Sequence, residues 1–294
     1  MALLNPFHLK TLVAIGDLNK RKRFVCSAAG FLIGFIARNS KDPTKKKYYI
    51  FLVTNRHVFE GKGNVYLRFN KHDGKTEIFQ QGLFFPNNDP RWLAHLNKKV
   101  DLALLNVSPQ ILSQKNIDYL FFNEEIFAYQ KDFSKIGISI GDEVYILGFP
   151  MGIAGGIQNI PYVKGGIISR VDKELLRISK AFLIDSSIFP GNSGGPVVLK
   201  PTNTALANTK AVSTIYLLGV ISGYLYYQEE LWTHQTNPPT VVGLERENSG
   251  LSYVVPIDFM HQIFMNWKAS QKKLEKAQKP KTPPQPQEEI KTSL

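Results

Sequence analysis

The chain has 294 residues, 43% of them hydrophobic and 12% aromatic, which is ample material for a buried core and excludes wholesale disorder. Its formal charge of +12 sits at the two ends: residues 1–56 hold eleven Lys/Arg against two acids, 268–294 hold seven against three, and 57–267 are nearly balanced at eighteen against nineteen. The runs Lys20-Arg21-Lys22-Arg23 and Lys45-Lys46-Lys47 carry no interleaved aromatic platforms, so they read as solubilising charge and nucleic acid is not expected as a partner.

In chain order, residues 1–23 read as a basic N-terminal extension that includes a first strand. The apolar stretch Phe24 to Ala37 follows the basic run but is shorter than the ~20 residues a membrane span takes. Cleavage of a leader near Ser27 or Ala37 would cut into a strand, so no span and no leader are expected. Cys26 is the single cysteine, which excludes an intramolecular disulfide and leads to the expectation of a reducing, cytoplasmic setting.

Short β-branched and aromatic runs then recur between turn residues: Gly30 to Ala37, Tyr48 to Thr54, Asn64 to Phe69, Asp101 to Val107, Glu143 to Phe149, Phe182 to Asp185, Val197 to Leu199 and Ile215 to Ser222. That spacing predicts an all-β sandwich or barrel, not alternating βα units. Helical spacing is clear only over Asp258 to Lys276, where Phe259, Ile263, Phe264 and Trp267 follow Pro256. Residues 280–294, with four prolines between Pro280 and Pro286, read as a solvated, disordered tail.

Three short segments carry chemistry. In Gly191-Asn192-Ser193-Gly194-Gly195-Pro196 a glycine turn lets backbone N–H groups converge beside a serine, with the N–H groups of Gly191 and Ser193 as the expected oxyanion donors. In Val53-Thr54-Asn55-Arg56-His57-Val58 an apolar strand ends in a histidine, and Asp101-Leu102-Ala103-Leu104-Leu105 opens an apolar strand with a carboxylate. Each alone has a bland reading, as a tight turn, a packed histidine or a turn-ending acid. Taken together, His57, Asp101 and Ser193 stand in one chain order at separations of 44 and 92 residues.

With these motifs the chain resembles the trypsin-like serine peptidases, closest to the protease domain of the HtrA/Deg type without a PDZ domain. The matching runs are Thr54-Asn55-Arg56-His57-Val58, Asp101-Leu102-Ala103-Leu104 and Gly191 to Pro196. Further similarity lies at Gly141 to Val144, Gly148 to Gly152, Lys164 to Ser169 and Leu251 to Ile257. The resemblance implies two six-stranded antiparallel β-barrels with a C-terminal α-helix: a protease domain over 24–267, its first barrel about 24–135, its second about 136–257 and the helix about 258–276. It also implies Ser193 as nucleophile, His57 as general base and Asp101 as the group orienting His57, acting on protein or peptide substrates with no metal or cofactor, and a regulatory protein partner. The histidines His8, His72, His95, His234 and His261 show no paired-ligand spacing.

Departures from the family pattern are informative. Asn192 precedes the serine where digestive relatives have an aspartate, so a new N-terminus has no carboxylate to pair with and activation by N-terminal cleavage is not expected. The pocket for the residue before the scissile bond is expected at Ser187, Ile188, Ile221, Ser222 and Gly223; with no acid at Ser187, small or medium apolar side chains fit best. Tyr224 to Gly250 reads as an aromatic-rich insertion that gates the cleft, receives a partner or simply packs as a surface loop. The alternative to an enzyme is a silent pseudo-protease that binds peptides in the same cleft.

Overall fold

A computed structural model describes residues 4–42, 45–203, 207, 209–233, 235 and 237–278; the expected Pro-rich tail over 280–294 lies outside them. Residues 12–123 form one sheet from β1 (Leu12–Leu18), β2 (Phe24–Arg38), β3 (Lys47–Thr54), β4 (Asn64–Asn70), β5 (Thr76–Gly82), β6 (Trp92–Ala94), β7 (Ala103–Asn106) and β8 (Phe122–Asn123). Its order is β5-β4-β1-β2-β3-β7-β6, antiparallel along this path, with β8 added parallel to β2. The second unit is a closed barrel, β10-β11-β14-β13-β12-β9, of β9 (Glu143–Gly148), β10 (Tyr162–Arg170), β11 (Phe182–Asp185), β12 (Pro196–Leu199), β13 (Leu217–Thr233) and β14 (Thr240–Pro256). Four short helices sit in the connections: α1 (Arg56–Phe59), α2 (Pro109–Gln114), α3 (Phe133–Ile136) and α4 (Lys173–Ser179).

The fold is thus mostly β, with two antiparallel sheets and the closing helix α5 (Ile257–Gln278), in the class expected. It differs from the expectation in two places, the first sheet and the 224–250 insertion. The first sheet is an open path of seven strands with β8 added beside β2, where a six-stranded barrel was expected, and β1, assigned to the N-terminal extension, is central to it, paired on both sides by β2 and β4. The apolar run at Phe24 is a strand, as expected: β2 spans fifteen residues and its middle is buried. Finally, the insertion over 224–250 is no loop. Strands β13 and β14 continue past the barrel as an exposed two-stranded hairpin, paired from Tyr226↔Asn248 to Thr233↔Thr240.

One core cluster crosses between the units, joining Phe31, Phe51 and Leu104 of the first sheet to Leu147, Leu217 and Val255 of the barrel. Helix α5 extends from the barrel back over the first sheet. Its Met260, Ile263 and Phe264, spaced three and four residues apart, are buried in that same cluster. Phe264 stacks on Phe35 at 3.9 Å between ring centroids, and Trp267 meets Tyr49 and Phe51 edge-on. Of these, the buried Phe35, Phe51 and Phe264 each contribute roughly 1.5–3 kcal/mol by removal of apolar surface from water. The helix therefore fixes the two units against each other, and the cleft between them with it.

Candidate active site

The buried end of β3 delivers His57. Val53, Thr54 and Asn55 are fully buried, and the chain turns at Asn55 into the single-turn α1, which leaves the His57 ring half exposed. Asp101 is set between Val100 and Leu102, both fully buried, so its carboxylate is the polar member of an otherwise apolar segment. It accepts twice from the histidine: Nδ1 lies 2.8 Å from Oδ2 and the His57 backbone N–H donates to Oδ1 at 3.1 Å. Asn55 Nδ2 donates to the Asp101 carbonyl at 2.9 Å and fastens the same segment. A carboxylate can only accept, so Nδ1 carries the proton and Nε2 presents a lone pair.

Ser193 is positioned by main-chain bonds. Asn192 N–H donates to Phe189 O, Gly195 N–H to Asn192 O and Gly194 N–H to Ile221 O, which winds residues 189–195 into a tight turn. Gly191 and Gly194 have φ of +97° and +84°. A Cβ on the first would stand 2.1 Å from Phe149 O and one on the second 2.1 Å from Ala29 O, so neither conformation nor space admits a side chain. The turn is tied to the other unit through Ala29, whose N–H donates to Ser193 O at 2.9 Å and whose carbonyl accepts from Thr54 Oγ1 at 2.8 Å. Three residues after Thr54 comes His57, so two hydrogen bonds and a short stretch of chain link the Ser193 turn to the His57 segment.

The N–H groups of Gly191 and Ser193, the expected oxyanion donors, sit in this turn. Pro190 O accepts from Met151 N–H at 2.6 Å. The Pro190–Gly191 peptide is trans, so its N–H points opposite to that carbonyl. Among the described residues neither Gly191 N–H nor Ser193 N–H has a protein acceptor. Asn192, the departure from the family pattern, is buried beneath this turn with its Nδ2 unpartnered among the described residues.

His57, Gly191 and Ser193 line one cleft of about 350 Å³ between the units. The first sheet contributes Ser27, Ala28, His57, Val58 and Lys62; the barrel side contributes Ile188, Phe189, Pro190, Gly191, Ser193, Gly223 and Tyr224. No hydrogen bond joins Ser193 Oγ to His57 among the described residues. Of the expected pocket residues, Ile188 and Gly223 line this cleft. Ile221 does not: its side chain is fully buried in the barrel core, and only its backbone serves the site, through Gly194 and Gly195. Ser222 falls where the β13–β14 register slips between Ile221 and Gly223, outside the cleft lining. Ser187 is exposed; its carbonyl takes the Lys164 ammonium, which also sits 4.8 Å over the Phe189 ring. Tyr224, the start of the insertion expected to gate the cleft, lines it; Ser27, Lys62 and Phe189 were missed from sequence because they flank the motifs and carry no chemistry that marks them alone.

Residues 32–207 match the family model described as the trypsin-like peptidase domain, a span that contains His57, Asp101 and Ser193. The chain belongs to the trypsin-like peptidase family. Over 166 residues it is 28% identical to the protein named "Probable periplasmic serine endoprotease DegP-like" of Chlamydia pneumoniae, covering 55% of this chain and 27% of that one. Over 169 residues it is 26% identical to the magnetosome formation protease MamE of Paramagnetospirillum magneticum, covering 54% and 18%. The chain thus spans less than a third of the length of these relatives. Among solved structures it is similar to the apo MamO protease domain from Magnetospirillum magneticum, with 13% identity, a TM-score of 0.47 and coverage of 87% and 96%. A human heparin binding protein aligns at 13% identity, a TM-score of 0.42 and coverage of 90% and 95%. No helix among the described residues is long and apolar enough to cross a membrane.

Proposed function

We propose that this trypsin-like peptidase is an active serine endopeptidase that cleaves protein substrates through an acyl-enzyme. The reading is supported above all by one cleft that holds both Ser193 and a His57 ring bonded to Asp101 at 2.8 Å. Ser193 Oγ attacks the scissile carbonyl as His57 Nε2 takes its proton; Asp101 stabilises the imidazolium; Gly191 and Ser193 N–H groups bind the oxyanion. His57 then protonates the leaving amine, and water hydrolyses the ester by the same route in reverse. The cleft lining carries no carboxylate, so a small or medium apolar side chain precedes the scissile bond. A regulatory partner would dock on the β13–β14 hairpin, where Tyr227, Trp232, Val242 and Leu244 are exposed. The lone buried Cys26 supports a cytoplasmic setting.

The test is labelling with a serine-directed fluorophosphonate: wild type is expected to label and Ser193→Ala not. The missing Ser193–His57 bond is the observation that favours a silent peptide-binding protein instead. Wild type that stays unlabelled, yet binds peptides as well as Ser193→Ala does, would establish that second reading in place of the first.

A further inference from the structure

Resting on the proposed protease reading, the next question is what lies on the leaving-group side of the cleft. His57 must reach the departing amine, so the C-terminal half of a substrate leaves along the flank that His57 shares with Ala28, Ser27 and Lys62. From Ser27, strand β2 runs back to the β1–β2 turn, which displays Lys20, Arg21, Lys22 and Arg23, all exposed. The turn is ordered: Asn19 Oδ1 accepts from Arg21 N–H at 2.9 Å and Arg23 N–H at 3.0 Å, and Asn19 N–H donates to Arg23 O at 2.9 Å. None of the four cations has an ion pair among the described residues. The acids nearest in the chain are already engaged, Asp17 with Lys62 at 3.5 Å and Asp42 with Lys45 at 3.5 Å.

We propose that this turn is a cationic lip that selects substrates with acidic residues on the C-terminal side of the scissile bond. The reach sets the positions. Arg23 lies four residue steps before Ser27, a run of ~13 Å at strand rise, which an extended substrate covers with its third to fifth residues beyond the bond. Four unpaired cations next to a site that binds extended polypeptide have an acidic peptide as their complement, and the charge asymmetry of the chain ends acquires a local purpose.

The test separates binding from chemistry. Immobilised Ser193→Ala is offered a mixed peptide pool, and the retained peptides are read by mass spectrometry. Peptides rich in Asp and Glu are expected to be enriched about tenfold over neutral ones, less at high salt because exposed charges are screened. Adding Lys20→Gln, Arg21→Gln, Lys22→Asn and Arg23→Gln to that background is expected to erase the preference; the ratio is internal to one protein, so loss of folded material cancels. Wild-type cleavage products are then expected to carry the acids at the third to fifth positions after the cut. No enrichment, enrichment that survives the four substitutions, or retention of duplex DNA in place of acidic peptides would overturn the proposal. Enrichment without any cleavage by wild type would overturn only the enzyme reading.

Discussion

The two flanks of the cleft are built from different materials. On the first-sheet flank, His57 and Asp101 are held by side-chain hydrogen bonds at the ends of buried strands. On the barrel flank, Ser193 and the proposed oxyanion donors are held by backbone alone, in a turn whose glycines sit against carbonyl oxygens at distances no Cβ tolerates. A side-chain network degrades by steps as members are removed. A backbone turn with no spare volume has only one form that works, so the barrel flank should be the more brittle.

The sharpest way to break that comparison is Gly194→Ala. The new methyl would stand 2.1 Å from Ala29 O and 2.3 Å from Thr54 Oγ1 at a φ of +84°, against the hydrogen bonds that tie the turn to the first sheet through Ala29. Loss of fluorophosphonate labelling and of roughly 3–5 kcal/mol of stability is expected, read by a thermal melt of the same sample. A Gly194→Ala protein that labels and melts like wild type would remove the claim of brittleness. Next in size is Asp101→Asn, which keeps both hydrogen-bonding positions but presents a donor where only an acceptor suits the catalytic tautomer. Turnover is expected to fall by on the order of 10⁴ with the melting temperature nearly unchanged. A fall in stability equal to that of Gly194→Ala would mean that the two flanks do not differ in kind.

The same contrast explains what could be read from the sequence. His57, Asp101 and Ser193 were legible because each lies in a short motif whose local chemistry is self-contained, and β9, β11 and β12 stood out as apolar runs bounded by turn residues. The β13–β14 hairpin was not legible: both its faces meet solvent, and Glu229 stands directly opposite Glu245, so it shows no period-two burial and carries a like-charge pair that strands ordinarily avoid. Ile221 was assigned to the pocket because the register slip between it and Gly223 cannot be seen in one dimension. One extra residue in a strand turns every later side chain to the opposite face, and a pocket wall counted without it is a wall counted wrongly.

The smallest expected effect tests how the first-sheet flank is held from behind, by α5. On that helix His261 Nδ1 pairs with the Tyr129 hydroxyl at 2.5 Å, and its ring packs edgewise on Phe35. Burial pushes the His261 pKa below its ordinary 6.5, against the pull of Glu124 and Asp258 and with the help of Lys131 and Lys268. The unfolded chain therefore takes up this proton first, at about pH 6.5, while the native state resists it. Stability from His261 is complete above that value and drains as pH falls through 6.5 toward the lowered native value. Asp258, whose carboxyl burial raises above 3.8, works with the opposite sign at lower pH, since the native state accepts its proton first. Melting temperature measured from pH 7.5 down to 5.5 should decline in wild type and decline less in His261→Gln. Equal slopes would mean that the helix holds the first-sheet flank through its apolar face alone, with Phe264 on Phe35 and Trp267 on Phe51 sufficient to keep His57 across from Ser193.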